Sequence, residues 1–355
     1  MKKKYITMLA LIGVIGFAAV GCQKSDKPET KATANQEKEV DSKNDTGGGT
    51  EQPEEGKDYS GLVIRLAYQP SHAQPLVAQE LGLFEKEFAA DGITVELAKF
   101  ASGPPIIEAF AAGEVDFGLV GDQPAIQGKA NNLPIKIIGT YGSTEKGNAL
   151  IATKESGIIS LKDIKGKKIG YTVGSVGHQL LLKFLESEGL TTEDAELYNL
   201  SPGDIYTSLE SGSIDGAVTW EPYITNSVSA GVADIIQDGT GYKYNVNVII
   251  ANESFLGQYP EVAARLLQVL NEAKEWSDAN KEETLQILAE TSGLDASVFE
   301  ASFEKFDRSL FLDQKKIESI IETAAYLKEQ GTIRSEVDAE AIIDLSFLQA
   351  ADITE

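Results

Sequence analysis

The chain has 355 residues, 42% of them hydrophobic, which is enough to bury one or two sizeable cores. Its formal charge is -24, from 31 basic and 55 acidic residues, and its pI is about 4.5. That excess disfavours nucleic acid and anionic lipid as partners through like-charge repulsion, and a single cysteine, Cys22, rules out an intramolecular disulfide.

Lys2-Lys3-Lys4, an apolar run over 5–20 and Gly21-Cys22 read as an export signal over 1–22. The run is too short and too rich in glycine for a membrane span. Ala18-Ala19-Val20-Gly21-Cys22 resembles the lipobox of bacterial lipoproteins, with Ala19 where leucine is usual, and the resemblance implies a diacylglyceryl group on Cys22. Residues 23–59 are polar, with Gly47-Gly48-Gly49 inside. Too few apolar residues are present to offset the entropy of ordering, so this segment is expected to be a disordered tether.

From residue 62 the pattern alternates. A strand over 62–68 is followed by the loop Gln69-Pro70-Ser71-His72-Ala73-Gln74-Pro75, a helix over 76–81, a short helix over 84–90 and a strand over 95–98. Ser102-Gly103-Pro104-Pro105 suits a helix start, because first-turn amides have no intrahelical partner for proline to remove. Ile106, Ile107, Phe110 and Ala111 give that helix one apolar face, and Gly113 stops it. A strand over 115–120 ends in Gly121-Asp122-Gln123-Pro124, then come a helix over 124–131 and a strand over 135–141. Residues 148–154 read as an extended crossing segment. Beyond it lie a strand over 169–173, the loop Gly174-Ser175-Val176-Gly177-His178, an apolar-faced helix, a strand over 196–200, a helix over 201–210 and a strand over 215–220. Residues 245–252 cross back. Strands and helices at this spacing predict a parallel, helix-covered sheet. From Pro260 onward the text is helical and is expected to pack the core of the first lobe without contributing to a site.

The pattern also returns after about a hundred residues. Ser102-Gly103 meets Ser201-Pro202, Gly113-Glu114-Val115-Asp116 meets Gly212-Ser213-Ile214-Asp215, and Asn148-Ala149-Leu150-Ile151 meets Asn247-Val248-Ile249-Ile250. Two similar α/β lobes facing each other across a cleft follow from that register.

Arg65-Leu66-Ala67-Tyr68-Gln69, the run from Ser102 to Ala109, Gly121-Asp122-Gln123-Pro124, Asp163-Ile164-Lys165-Gly166-Lys167-Lys168-Ile169-Gly170 and Trp220-Glu221-Pro222 together resemble the substrate-binding proteins of ABC importers. The branch they resemble serves aliphatic sulfonates and taurine, near the nitrate and pyrimidine-precursor binders. The resemblance implies a type II periplasmic-binding fold, with two mixed-sheet lobes joined by two crossing strands. Lobe 1 would hold 60–148 and 247–355, and lobe 2 would hold 149–246. It further implies a monomeric, extracytoplasmic lipoprotein that captures a small anion or zwitterion and delivers it to a permease and its ATPase. Nitrate, bicarbonate or a pyrimidine are alternative solutes in the same fold, and a pyrimidine-synthase-like enzyme is the alternative of a different class.

In open α/β sheets ligands sit beyond the carboxyl ends of strands. That places Tyr68, Gln69, His72, Ser102, Gly103, Asp122, Gln123, Tyr141, Ser175, Gly177, His178, Trp220 and Glu221 at the cleft. Ser102, Gly103, Ser175, Gly177 and His178 are expected to hold the anion, with Tyr68, Tyr141 and Trp220 over its carbon chain. Ser102 and Ser175 serve equally well as helix caps. Asp122 and Glu221 either cap the following helices or, facing the cleft, favour a zwitterion such as taurine. None of these loops carries Arg or Lys. The spacing of His72 and His178 supports no metal site, no cofactor is implied, and no P-loop or nucleophile elbow is present.

Overall fold

A computed structural model of the chain describes residues 57–354. The export signal, Cys22 and the tether up to residue 56 lie outside the described residues. Tyr59, placed by its sequence at the end of the tether, packs edge-on against Tyr259 with ring centroids 6.1 Å apart.

Among the described residues there are ten strands: β1 (Val63–Tyr68), β2 (Thr94–Lys99), β3 (Phe117–Gly121), β4 (Ile135–Thr144), β5 (Asn148–Ala152), β6 (Lys168–Tyr171), β7 (Glu196–Asn199), β8 (Gly216–Trp220), β9 (Asp234–Asp238) and β10 (Asn245–Asn252). They form two five-stranded sheets, ordered β2-β1-β3-β10-β4 and β7-β6-β8-β5-β9. The helices used below are α1 (Ala73–Glu80), α2 (Leu83–Phe88), α3 (Gly103–Ala111), α4 (Asp122–Ala130), α5 (Val176–Ser187), α6 (Pro202–Glu210), α7 (Tyr223–Ser229), α8 (Glu253–Gln258), α9 (Pro260–Ala279), α10 (Lys281–Ser292), α11 (Ala296–Lys305) and α12 (Gln314–Glu329).

Each sheet is mixed, as the resemblance implies, whereas strand and helix spacing alone predicted a parallel sheet. β1 runs parallel to β2 and β3, and β6 runs parallel to β7 and β8. β10 is antiparallel to β3 and β4, and β5 is antiparallel to β8 and β9. Alternating strands and helices report parallel βαβ units, whereas the chain returns antiparallel wherever it has just crossed between lobes. β9 and α7 escaped the sequence reading; β9 is a short edge strand, with only one face against the core.

The internal repeat is exact in register. Gly118 faces Ile250 across β3 and β10, and the same offset carries this pair onto Ala217 and Ile151 across β8 and β5. Gly113 and Gly212 close α3 and α6 with φ of 71° and 68°, a left-handed turn that disfavours any β-carbon. The aspartates that follow do equivalent work. Asp116 accepts the Arg65 amide at 2.9 Å and Asp215 accepts the Lys168 amide at 2.8 Å, so each ties a returning strand to its neighbour.

Crossings run through 145–147 and 239–244, just ahead of the positions expected from sequence, because β5 and β10 each belong wholly to one sheet. The two crossings lie backbone to backbone. A β-carbon on Gly239 would stand 2.6 Å from the Glu145 carbonyl oxygen, so only glycine fits there. Lys243, on the second crossing, is buried and ion-paired with the fully buried Asp122 at the start of α4. Its ammonium also donates to Thr323 of α12 at 2.6 Å, and Thr323 donates to Asp122 at 2.8 Å.

Removing one member of such a pair strands the other charge. We therefore predict that Lys243→Met lowers unfolding free energy by roughly 3–5 kcal/mol in urea titrations, and that adding Asp122→Asn restores most of it. A loss below about 1 kcal/mol in the single variant would show that solvent reaches the pair.

Candidate functional site

The carboxyl ends of β1, β3, β6 and β8 open into one cleft of about 870 Å³, counting its mouth. Of the residues expected there, Gln69, His72, Gly103, Tyr141, Ser175, Trp220 and Glu221 line it. The crossing strands add Asn148, Asn245 and Asn247 to the wall.

The other six expectations are corrected. Asp122 is consumed by Lys243 and by the Gln123 amide, which it accepts at 2.8 Å. Tyr68 packs into a cluster with Leu76, Leu285 and Phe299 behind the wall. Ser102 is buried beside Gly103 and makes no side-chain cap to α3. Gln123 spans the lobes instead, its Oε1 accepting the Gln179 amide at 3.1 Å. Gly177 brings α5 down onto β8, where a β-carbon would meet the Val218 carbonyl at 2.9 Å. His178 stacks near Tyr171, with centroids 5.0 Å apart, and lines a separate surface hollow.

Donors are scarcer than the count of helix starts suggests. Pro104 and Pro105 remove two first-turn amides from α3, leaving Gly103 to face the cleft. Ser175 caps α5, and its hydroxyl donates to the Thr172 carbonyl at 2.7 Å, so it offers no proton to a ligand. At the α5 start the cleft-lining Val176 contributes an amide with no intrahelical acceptor. Val176 also meets the opposite lobe, where a β-carbon on Gly121 would fall 2.3 Å from its Cγ1. The two halves therefore touch where Gly121 and Val176 line the cleft.

A further correction concerns the C-terminal helices. Leu288 of α10, Phe299, Ser302 and Phe303 of α11, and Phe306 and Arg308 just beyond line the cleft, so this region is more than core packing. Arg308 brings to the cleft a basic side chain that the strand-end loops lack. Its guanidinium lies 3.6 Å over the Phe303 ring and pairs with Asp278, while Nη1 is buried without a partner among the described residues. Ser302 Oγ and Asn245 Oδ1 are likewise buried and unpartnered. Sequence gave no signal for this set, because one arginine in helical text has no periodicity or spacing to mark it.

Among the described residues the cleft has no uncompensated carboxylate. Glu221 lines it but accepts the Thr225 amide at 3.1 Å, capping α7, and pairs with Lys305 of α11. His72 is buried, and desolvation pushes its imidazole down to about 3. Burial, with the Asp122 charge as a smaller cause, raises the Tyr141 phenol well above its usual value, so it stays protonated.

The sequence model of the family described as NMT1/THI5 like matches residues 69–284. The chain belongs to the NMT1/THI5-like family. A Bacillus subtilis (strain 168) relative, whose name proposes aliphatic-sulfonate binding, is 30% identical over 81% of this chain and 87% of its own length. The taurine-binding periplasmic protein of Escherichia coli (strain K12) is 29% identical over 76% of this chain and 87% of that relative. Among solved structures, the alkanesulfonate-binding protein SsuA of Xanthomonas axonopodis pv. citri, bound to MOPS, superposes with a TM-score of 0.74. That likeness is at 22% identity and covers 80% of this chain and 99% of that one, and it shows the shared two-lobe fold. The relatives named here are binding proteins.

A buried neutral histidine makes stability depend on pH. The unfolded imidazole binds a proton below about 6.5, whereas the folded one resists until about 3. The contribution is therefore complete above about pH 6.5 and is lost toward pH 3, at about 1.4 kcal/mol per pH unit. We predict that His72→Gln flattens the fall in urea midpoint between pH 7 and 4.5. Identical slopes for variant and wild type would refute the assignment.

Proposed function

We propose that the chain is the extracytoplasmic solute-binding component of an ABC importer, closing on a small organosulfonate and presenting it to a permease and its ATPase. The observation that carries this reading is a cleft between two sheet ends that offers free donors and, among the described residues, no uncompensated carboxylate. A sulfonate stays ionised and only accepts hydrogen bonds, so donors alone satisfy it. Gly103 and Val176 supply amides to the head group. Leu288, Phe299, Phe303, Phe306 and Trp220 supply an apolar wall for the carbon chain. Names of relatives from Bacillus subtilis and Escherichia coli point the same way.

The lobes rotate about the paired crossings, and the solute favours the closed state by contacting both halves at once. The protein acts by binding rather than by turnover. His72 has both ring nitrogens engaged and Ser175 has spent its proton on a carbonyl, so neither forms a nucleophile–base pair. Cys22 carries the lipid that holds a monomeric body at the membrane surface.

Thermal melts with ethane-, butane- and hexanesulfonate, taurine, nitrate, bicarbonate and a hydroxymethylpyrimidine test the reading. A sulfonate at a hundredfold excess over its Kd adds about 2.7 kcal/mol, which is a midpoint rise of roughly 4 °C. Each buried methylene is expected to tighten binding by about 0.8 kcal/mol, roughly fourfold, until the wall is covered. A rise with nitrate or the pyrimidine alone would replace the sulfonate assignment. Cys22→Ser should move the protein from the membrane fraction to the soluble one in cells, and retention of the variant at the membrane would remove the lipid anchor.

A further inference from the structure

Two hydrogen bonds at the cleft wall fix the direction in which one hydroxyl points. The Gln69 backbone N–H donates to His72 Nδ1 at 3.1 Å. A backbone amide can only donate, so Nδ1 must be the bare nitrogen of the neutral ring and the proton resides on Nε2. Nε2 lies 3.1 Å from Tyr141 Oη, with the two ring centroids 4.4 Å apart, so His72 donates to the tyrosine oxygen. The Gln74 side chain meanwhile donates to the Tyr141 carbonyl at 2.9 Å, holding β4 to α1. Tyr141 thus has its acceptor side occupied, and its own proton has no acceptor among the described residues. Both side chains are buried and both line the cleft.

We propose that Tyr141 is an obligate hydrogen-bond donor to the anionic head of the solute, and that His72 is the positioning residue that makes it so. The proposal rests on the organosulfonate reading above and deepens it. A phenol left to itself rotates to donate or accept as its neighbour requires. With His72 donating to the oxygen, the Tyr141 proton is presented to the cleft. A sulfonate accepts at every oxygen and is satisfied. A singly ionised phosphonate of the same shape keeps one P–O–H, and that group finds no acceptor at Tyr141. An unmatched buried polar group is costly, which is how a directed donor discriminates between near-isosteres. The charged groups nearby leave this logic intact, because Asp122 is paired with Lys243, Glu221 with Lys305 and Arg308 with Asp278.

The test is calorimetric titration of the full chain and its variants with ethanesulfonate and ethylphosphonate, in buffer acidic enough to leave the phosphonate singly ionised. Wild type is expected to prefer the sulfonate. Tyr141→Phe, which removes one oxygen, should weaken sulfonate binding roughly ten- to hundredfold. His72→Phe keeps the ring but frees the phenol to accept, so the sulfonate-to-phosphonate ratio should fall about tenfold. His72→Gln, which retains an N–H at that side, should restore the ratio. A purely structural role for His72 would weaken both anions alike. An unchanged ratio in His72→Phe, or Tyr141→Phe binding as wild type does, overturns this proposal while leaving the function standing. A wild-type chain that binds neither anion overturns both.

Discussion

A buried ammonium cannot be left alone, and the second crossing between the lobes carries one. Lys243 meets Asp122 at the start of α4 and Thr323 on α12, so a single ion pair pins the crossing, the first lobe and the C-terminal helices together. The pairing also neutralises a carboxylate next in sequence to the cleft-lining Gly121. Lys305 does the same for Glu221 on the opposite side. A chain with a formal charge of -24 can thereby offer a local environment suited to an anion, since the field at a site is set by its nearest groups and not by the sum.

Where the donors come from follows from similar accounting. α3 begins with prolines that suit its geometry but lack amides, and α5 begins with a serine whose hydroxyl faces inward. Neither helix start is therefore the whole of an anion site. Tyr141 on the strand leading to the first crossing and Arg308 beyond α11 add polarised hydrogens from other directions. The aromatic wall belongs mainly to α11, so the cleft is lined partly by the repeated lobes and partly by a region with no counterpart in the repeat.

That division also explains what could be read in the residues. The repeat was legible because a strand end, a left-handed glycine and an aspartate bonding to a neighbouring backbone must recur wherever the same sheet is built again. β1, β3, β6 and β8 were found through the same regularity, and with them Gln69, Gly103, Ser175 and Trp220. Asp122 was misplaced because its partner is distant in sequence and no local pattern announces a long-range ion pair. Arg308, Ser302 and the phenylalanines of α11 were missed because amphipathic helices packing a core and amphipathic helices roofing a cleft share one periodicity. Which face meets solvent is decided by tertiary packing, which the pattern does not encode.

Helix α11 belongs to both sides of the cleft. Phe299 packs with Tyr68, Ala73 and Leu76 of the first lobe, whereas Lys305 grips Glu221 of the second. Parting the lobes while α11 stays with the first must sever that grip and bare a carboxylate that also caps α7. Opening the cleft is then tied to the loss of a buried ion pair, so the closed arrangement carries an electrostatic latch of its own.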